Sequence, residues 1–274
     1  MKKMTFAVWF TALLAVFTLS SCLDDGGSNT YPVSGYVKVG GMMGNYYFTN
    51  QLNEKFVPTN PTVLPTIIDA DYGFITGSIN KDQQQSSKEV PVDIQGYAFA
   101  KSAYMSGSTE HMKDYANAPI SLVNGGTMYS AVPVGFWNPT IMFVPVYYFV
   151  KGANNQNGAD EAEKSAHSFS FYYKVGGDSD IINSTESDLV IYVRHRVVNP
   201  EENKNRKMMN MDLYQLNLNE ALAAFGEQYN GKKPQQIFVE YENNSADGAY
   251  DSTVVRSTNA RIDYQAYLNL FEKK

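Results

Sequence analysis

The sequence predicts an all-β fold in two domains, and three observations carry that prediction. Twenty tyrosines and fifteen phenylalanines stand against two tryptophans, a composition suited to half-buried pleated surfaces. Short runs of two-residue alternation recur between clusters of Gly, Asn, Asp and Pro, and long helical periodicity is scarce. The segment Pro133-Val134-Gly135-Phe136-Trp137-Asn138-Pro139 is dense in residues that interrupt pairing. It divides the mature chain into an N-terminal β domain over 31–135 and a C-terminal β domain over 136–274, each a sandwich or a barrel.

The alternation predicts strands near Val33–Val39, Asp71–Asn80, Val90–Met105, Ile141–Lys151, His167–Val175, Asp188–Val198, Met211–Leu218, Gln236–Glu242, Thr253–Thr258 and Arg261–Tyr267. Gly40–Thr62 reads as a long loop rich in proline, and 152–165 as a mobile polar excursion. The clearest strand is Leu189–Val197. Its period puts Leu189, Ile191, Val193, His195 and Val197 on a core face and Val190, Tyr192, Arg194 and Arg196 on the other. A histidine on an apolar row reads first as a hydrogen-bonded structural imidazole. Arg194 and Arg196 can pair with carboxylates of a neighbouring strand or grip an anion, and the structural pair is the better reading. After the polar break at Asn199–Asn205, Met208–Leu218 can return beside this strand as a long-looped hairpin. One short helix is predicted at Asn219–Gly226, with Asn219 as N-cap and Gly226 as terminator, its Leu222 and Phe225 plugging a β core.

The N-terminus says where the protein lives. Lys2 and Lys3 precede an apolar run over Phe6–Phe17, too short for a bilayer span of about 20 residues and built like a cleaved signal peptide over 1–21. The run ends in Leu19-Ser20-Ser21-Cys22, and Cys22 is the only cysteine. This resembles a bacterial lipoprotein lipobox, in which the Cys22 thiol and freed amine would carry acyl chains strong enough together to hold the chain in a membrane. The alternative is a free thiol. Leu23, Asp24 and Asp25 then resemble the surface-export signal of Bacteroidetes lipoproteins, and 22–30 reads as a flexible lipidated tether. These features predict an outer-membrane location, at the cell surface. Removing the leader takes the net charge from −6 to −8, which gives no reason to seek nucleic acid or anionic lipid.

Catalytic signals are thin. The sequence holds no His-Glu-x-x-His and no Gly-x-Ser-x-Gly, and His111, His167 and His195 lie far apart. No metal or cofactor is expected and the chain reads as non-enzymatic, with paired carboxylates for glycoside hydrolysis as the catalytic alternative. Asp178–Asp188 gathers oxygen ligands between two strands but lacks the pattern of an EF-hand, so a solvated hairpin loop is preferred to a calcium site. Asp251-Ser252-Thr253 resembles the O-glycosylation acceptor of exported Bacteroidetes proteins, at Ser252. The trios Tyr46-Tyr47-Phe48, Tyr147-Tyr148-Phe149 and Phe171-Tyr172-Tyr173 are candidates for a sugar platform, although alternation turns the middle ring of each away from its neighbours.

Taken in order, Leu-Ser-Ser-Cys-Leu-Asp-Asp at the start and the strand Leu-Val-Ile-Tyr-Val-Arg-His-Arg leading into Asp-Leu-Tyr-Gln-Leu-Asn-Leu resemble the NigD-like lipoproteins of Bacteroidetes. That resemblance, best over 167–267, implies an OB-like N-terminal barrel, a C-terminal β-sandwich, and no established catalytic site. A small sandwich stays open for the first domain. A fimbrial subunit would need arginine-specific cleavage near the N-terminus, and the first arginine is Arg194. The expected function is a non-catalytic binding or scaffold module held to the membrane by its lipid, with a glycan or a surface protein as partner.

Overall fold

The computed structural model describes residues 29–80, 89–110, 116–118, 120–123, 132–152, 161–243 and 256–272. The leader, Cys22, Leu23, Asp24, Asp25, His111 and Ser252 lie outside the described residues.

The chain divides into two compact units after Lys101. In the first, β1 (Thr30–Met42) pairs antiparallel with β4 (Tyr72–Asn80) through its first part and with β2 (Asn45–Thr49) through its second, with Lys38 shared by both ladders. β2 pairs antiparallel with β3 (Lys55–Pro58), and β4 with β5 (Glu89–Ala103), whose last two residues belong to the second unit. A parallel pairing of β3 with β5 closes the ring, giving the five-stranded OB-like barrel that the family resemblance implies. The interior is apolar because alternate residues converge there: Val33, Val37, Phe48, Phe56, Ile75, Ile79, Val92 and Ile94 are all buried. A 3-10 turn (Pro61–Val63) and the segment behind it cover one end, where the Tyr46 hydroxyl donates to Thr66 O (3.1 Å) and accepts from Ile68 N (2.9 Å). The β4–β5 ladder shifts register at Gly77, where a Cβ would lie 2.3 Å from the carbonyl oxygen of Asp93. Gly40–Thr62 is therefore not a loop. It supplies β2 and β3, which are only five and four residues long and are held by barrel closure.

The second unit is a β-sandwich. One layer is β9 (Ile141–Val150) with β12 (Met208–Asn217) on one edge and β7 (Ile120–Leu122) and β8 (Gly135–Asn138) on the other. The facing layer runs β14 (Arg256–Asp263), β13 (Gln236–Asn243), β11 (Leu189–Val197), β10 (His167–Val175) and β6 (Met105–Ser106). Between them lie Met142, Val144, Val146, Phe171, Leu189, Ile191, Val193, Leu216, Ile237 and Val239, all buried. Among the described residues, three helices belong to the unit: α1 (Glu161–Ser165), α2 (Asn219–Gln228) and α3 (Tyr264–Phe271). Because β6, β7 and β8 pair here, the division falls well before the Pro133–Pro139 cluster, and Trp137 is half-buried inside this unit on β8.

Several expected elements differ. Met208–Asn217 does not return beside β11; it crosses to the other layer and pairs with β9, while β11 is flanked by β10 and β13. A 3-10 turn at Pro200–Asn205 carries the chain across, and the outer face of β11 is covered separately, by Ile181 packed with Val190, Tyr192 and Phe238. The α2 N-cap is Leu218, with no side-chain cap. Gly226 lies inside the helix, and the turn to Asn230 (φ 56°) and Gly231 (φ 77°) follows it. Phe225 and Ala221 are buried as plugs, with Leu222 partly so. Arg261–Tyr267 is not one strand: β14 ends at Asp263, whose carboxylate accepts from Ala266 N (2.9 Å) and starts α3. The polar excursion over 152–165 contains α1.

Candidate functional site

At one end of the sandwich the fold gathers acid–base groups from six elements. His167 opens β10 and His195 lies near the end of β11; the register Phe169↔His195 and His167↔Val197 sets the two imidazoles diagonally on the core face. His167 Nδ1 is 2.9 Å from His195 Nε2, and His167 Nε2 is 3.2 Å from Glu163 Oε1 of α1. Glu163 also accepts from Arg206 Nε (2.7 Å) and from the Lys151 amide (3.2 Å), and its second oxygen lies 3.7 Å from Lys151 Nζ. Lys151 is paired with Glu202 of the 3-10 turn, and Arg206 Nη1 donates to Asn199 O at 2.9 Å. From the facing layer, Tyr148 packs on both imidazoles, donates to Asp212 (3.0 Å) and accepts from Asn210 (2.8 Å). Phe169 stacks on His195 at 4.4 Å and 12°.

This geometry sets the tautomers. Glu163 only accepts, so His167 Nε2 donates and Nδ1 accepts the proton of His195 Nε2. Burial lowers the pKa of His167, the Glu163 hydrogen bond opposes that, and the Arg206 charge adds to the lowering. For Glu163 burial pushes upward, but the hydrogen bonds from Arg206, His167 and the Lys151 amide outweigh it and the carboxyl titrates below its usual range.

A second polar network occupies the outer face of the same layer. Arg194 is 4% exposed and its Nη1 donates to Glu240 Oε2 of β13 at 2.6 Å, with Glu242 Oε1 3.5 Å from Nε. Beside it the Tyr192 hydroxyl donates to Asp178, which also pairs with Lys174 at 3.2 Å. Burial first, then the Asp178 carboxylate, raises the Tyr192 pKa strongly, so the phenol keeps its proton.

His195 thus lies where alternation puts it, hydrogen-bonded in the core, and Arg194 takes its structural carboxylate partner. Arg196, one residue pair along, is exposed. Asp178 and Asp188 spend their oxygens on the loop and on the strands beside it: Asp178 accepts from Asp180 N (3.0 Å) and from Tyr192, and Asp188 from Thr185 N (2.8 Å) and Gln236 N (3.2 Å). No cluster of three metal-ligating side chains occurs among the described residues. The trios split as alternation predicts. Tyr46 and Phe48 point inward with Tyr47 outside under Lys55 (4.3 Å), Tyr148 points inward between two half-buried rings, and Phe171 and Tyr173 flank an outward Tyr172. Sequence reasoning missed Glu163, His167, Arg206 and Lys151 as one group. Only the four-residue spacing of Glu163 and His167 hinted at part of it.

The architecture defines an all-β chain that couples an OB-like barrel unit with a β-sandwich unit. No protein-family model and no curated protein matches it by sequence. A "Putative lipoprotein" from Bacteroides fragilis shares the fold at 19% identity and a TM-score of 0.64, over 85% of this chain and 97% of that one. A protein of unknown function from Bacteroides vulgatus matches at 9% identity and TM-score 0.46, over 85% and 90% of the two chains. A NigD-like immunity protein from Bacteroides caccae, of the family that the sequence resembles, matches at 9% identity and TM-score 0.41, over 83% and 90%.

Proposed function

We propose that the chain is an outer-membrane lipoprotein, acylated on Cys22 and displayed at the cell surface, where it acts as a non-catalytic binding or scaffold module. The observation that carries this reading is Leu-Ser-Ser-Cys22 placed eight residues ahead of Thr30, where the barrel begins. Such a tether reaches at most about 25–30 Å when extended, so the lipid would hold the barrel close to the membrane. The lipoprotein description of the Bacteroides fragilis neighbour supports the same assignment.

The partner is a surface protein in preference to a glycan. A sugar platform needs several exposed rings in one groove, and among the described residues the aromatic side chains over 40% exposed are Tyr97 of the barrel unit and Tyr104 of the sandwich unit. The buried histidines and arginines are engaged in structural networks, which leaves them poorly placed to meet a substrate. Mass spectrometry of the native N-terminus tests the anchor: a triacylated Cys22 is expected, and an unmodified Cys22 peptide as the main species would sink it. Protease shaving of intact cells reads the orientation. A glycan array and a polysaccharide-turnover screen on the mature chain test the rest; turnover abolished by one Asp or Glu substitution would replace the binding module with a glycosidase.

A further inference from the structure

We propose that the His167–His195 pair is an acid-released latch that fastens α1 and the connection between β11 and β12 to the end of the sandwich. Two long segments meet at Glu163. The chain leaving β9 arrives through Lys151, and the chain leaving β11 arrives through Glu202 and Arg206. Glu163 in turn sits on His167, and His167 on His195. The described charged and titratable groups around the pair are Glu163 on α1, Tyr148 and Lys151 at the end of β9, Glu202 in the 3-10 turn, Arg206 behind it and Asp212 on β12.

The proton arithmetic makes the pair a switch. At 2.9 Å, one of the two facing nitrogens must be a bare acceptor. A first added proton is accommodated at His167 Nδ1 if His195 moves its own proton to the far nitrogen, and Glu163 then faces a cation. A second proton puts N–H against N–H, and the rings must part. His195 is 2% exposed beneath Phe169, so a charged ring there has to reach water, and the layer over it opens. The backbone ladder of β10 and β11 does not depend on these side chains and stays. What is released is the pair of segments that Glu163 gathers, 161–166 and 199–206. Burial and the Arg206 charge delay protonation of His167 below the ordinary imidazole range, which makes the release a response to acid and leaves the latch closed at neutrality.

Hydrogen exchange of the mature chain, corrected for intrinsic rates and compared at about pH 7.5 and pH 5, tests this, with protection in 161–166 and 199–206 expected to fall about tenfold or more at the lower pH. The double variant His167→Gln and His195→Gln keeps a donor and an acceptor at each position without titrating, and its protection should not change with pH. Equal protection of the wild type at both pH values overturns the latch, as does the same loss in the double variant. Should that variant fail to fold, imidazole 15N resonances of the wild type decide. Coupled titration of the two rings, with His167 below its ordinary range, is expected, and independent titration of the two rings overturns the proposal.

Discussion

Inside the barrel, Val37, Phe48, Ile75 and Val92 meet apolar neighbours, and the buried polar side chain described in that unit, Asn50, is neutral and turns its oxygen to the amides of Leu52 and Glu54 at 2.9 Å. The sandwich buries Asp188, Arg194, His195, Arg206 and Glu240. Both units obey the same two-residue alternation, so local pattern does not account for the difference. Layer crossing accounts for part of it. The barrel closes as a ring of strands, with β3 pairing back to β5. The sandwich sends its chain across layers after β9 and after β11, and each crossing is fastened by buried charge. Fastening with charge makes the second unit sensitive to pH and to loss of a single partner, because an unpaired ion in a dry interior is costly.

The sharpest way to break the comparison is to remove one buried charge. Arg194→Met should cost the sandwich about 3–5 kcal/mol by stranding Glu240, and adding Glu240→Leu should return most of it. Trp137 is the only tryptophan after Trp9 and lies in this unit, so urea unfolding of a chain lacking residues 1–22, followed by its fluorescence, reads the loss. If the single and double variants unfold alike, charge pairing is not what holds that face. In the barrel the matching test is Phe48→Ala, expected to cost about 3–5 kcal/mol through a cavity, by the same amount at pH 7 and pH 5 because the described core lining holds no carboxylate or imidazole.

Acid should separate the units next. His167 has a folded pKa below its unfolded one, so the unfolded chain takes up its proton first and the sandwich loses stability as pH falls below about 6.5. Glu163 is also depressed; its contribution is present above about 4.3 and disappears as pH falls through the lower folded value. The Trp137-detected midpoint should therefore decline in two stages, and a flat profile from pH 7 to 5 would contradict the shift assigned to His167.

Two smaller effects sharpen the boundaries of the sandwich elements. Asp263→Ala removes the α3 cap and should cost about 1 kcal/mol; no effect on thermal unfolding would mean that α3 is held by its packed side chains, Leu268, Tyr267 and Tyr264, whose hydroxyl donates to Pro139 O at 2.7 Å and whose pKa burial pushes up to about 12. Gly226→Ala should instead raise stability by about 0.5–1 kcal/mol, since Gly226 is interior to α2 and an added Cβ has nothing nearer than 3.9 Å. A terminating glycine would give the opposite sign.

Much of the strand content was legible because alternation is a local signal: β4, β9, β10, β11 and β13 lie where the period puts them, and His195 and Arg194 fall on the faces it assigns. The apolar run behind Lys2 and Lys3, Cys22 and the acidic residues after it are features of the sequence alone. What the local pattern could not hold were the partners. β11 beside β13, β12 beside β9, and β3 beside β5 join residues from 34 to 76 positions apart, and nothing in either strand names the other. The same holds for the site. His167, His195, Glu163 and Arg206 become one network only after register and layer crossing bring them within hydrogen-bonding distance. Periodicity is written along the chain and survives in the sequence; proximity across layers is a property of closure and packing, and only the tertiary structure decides it.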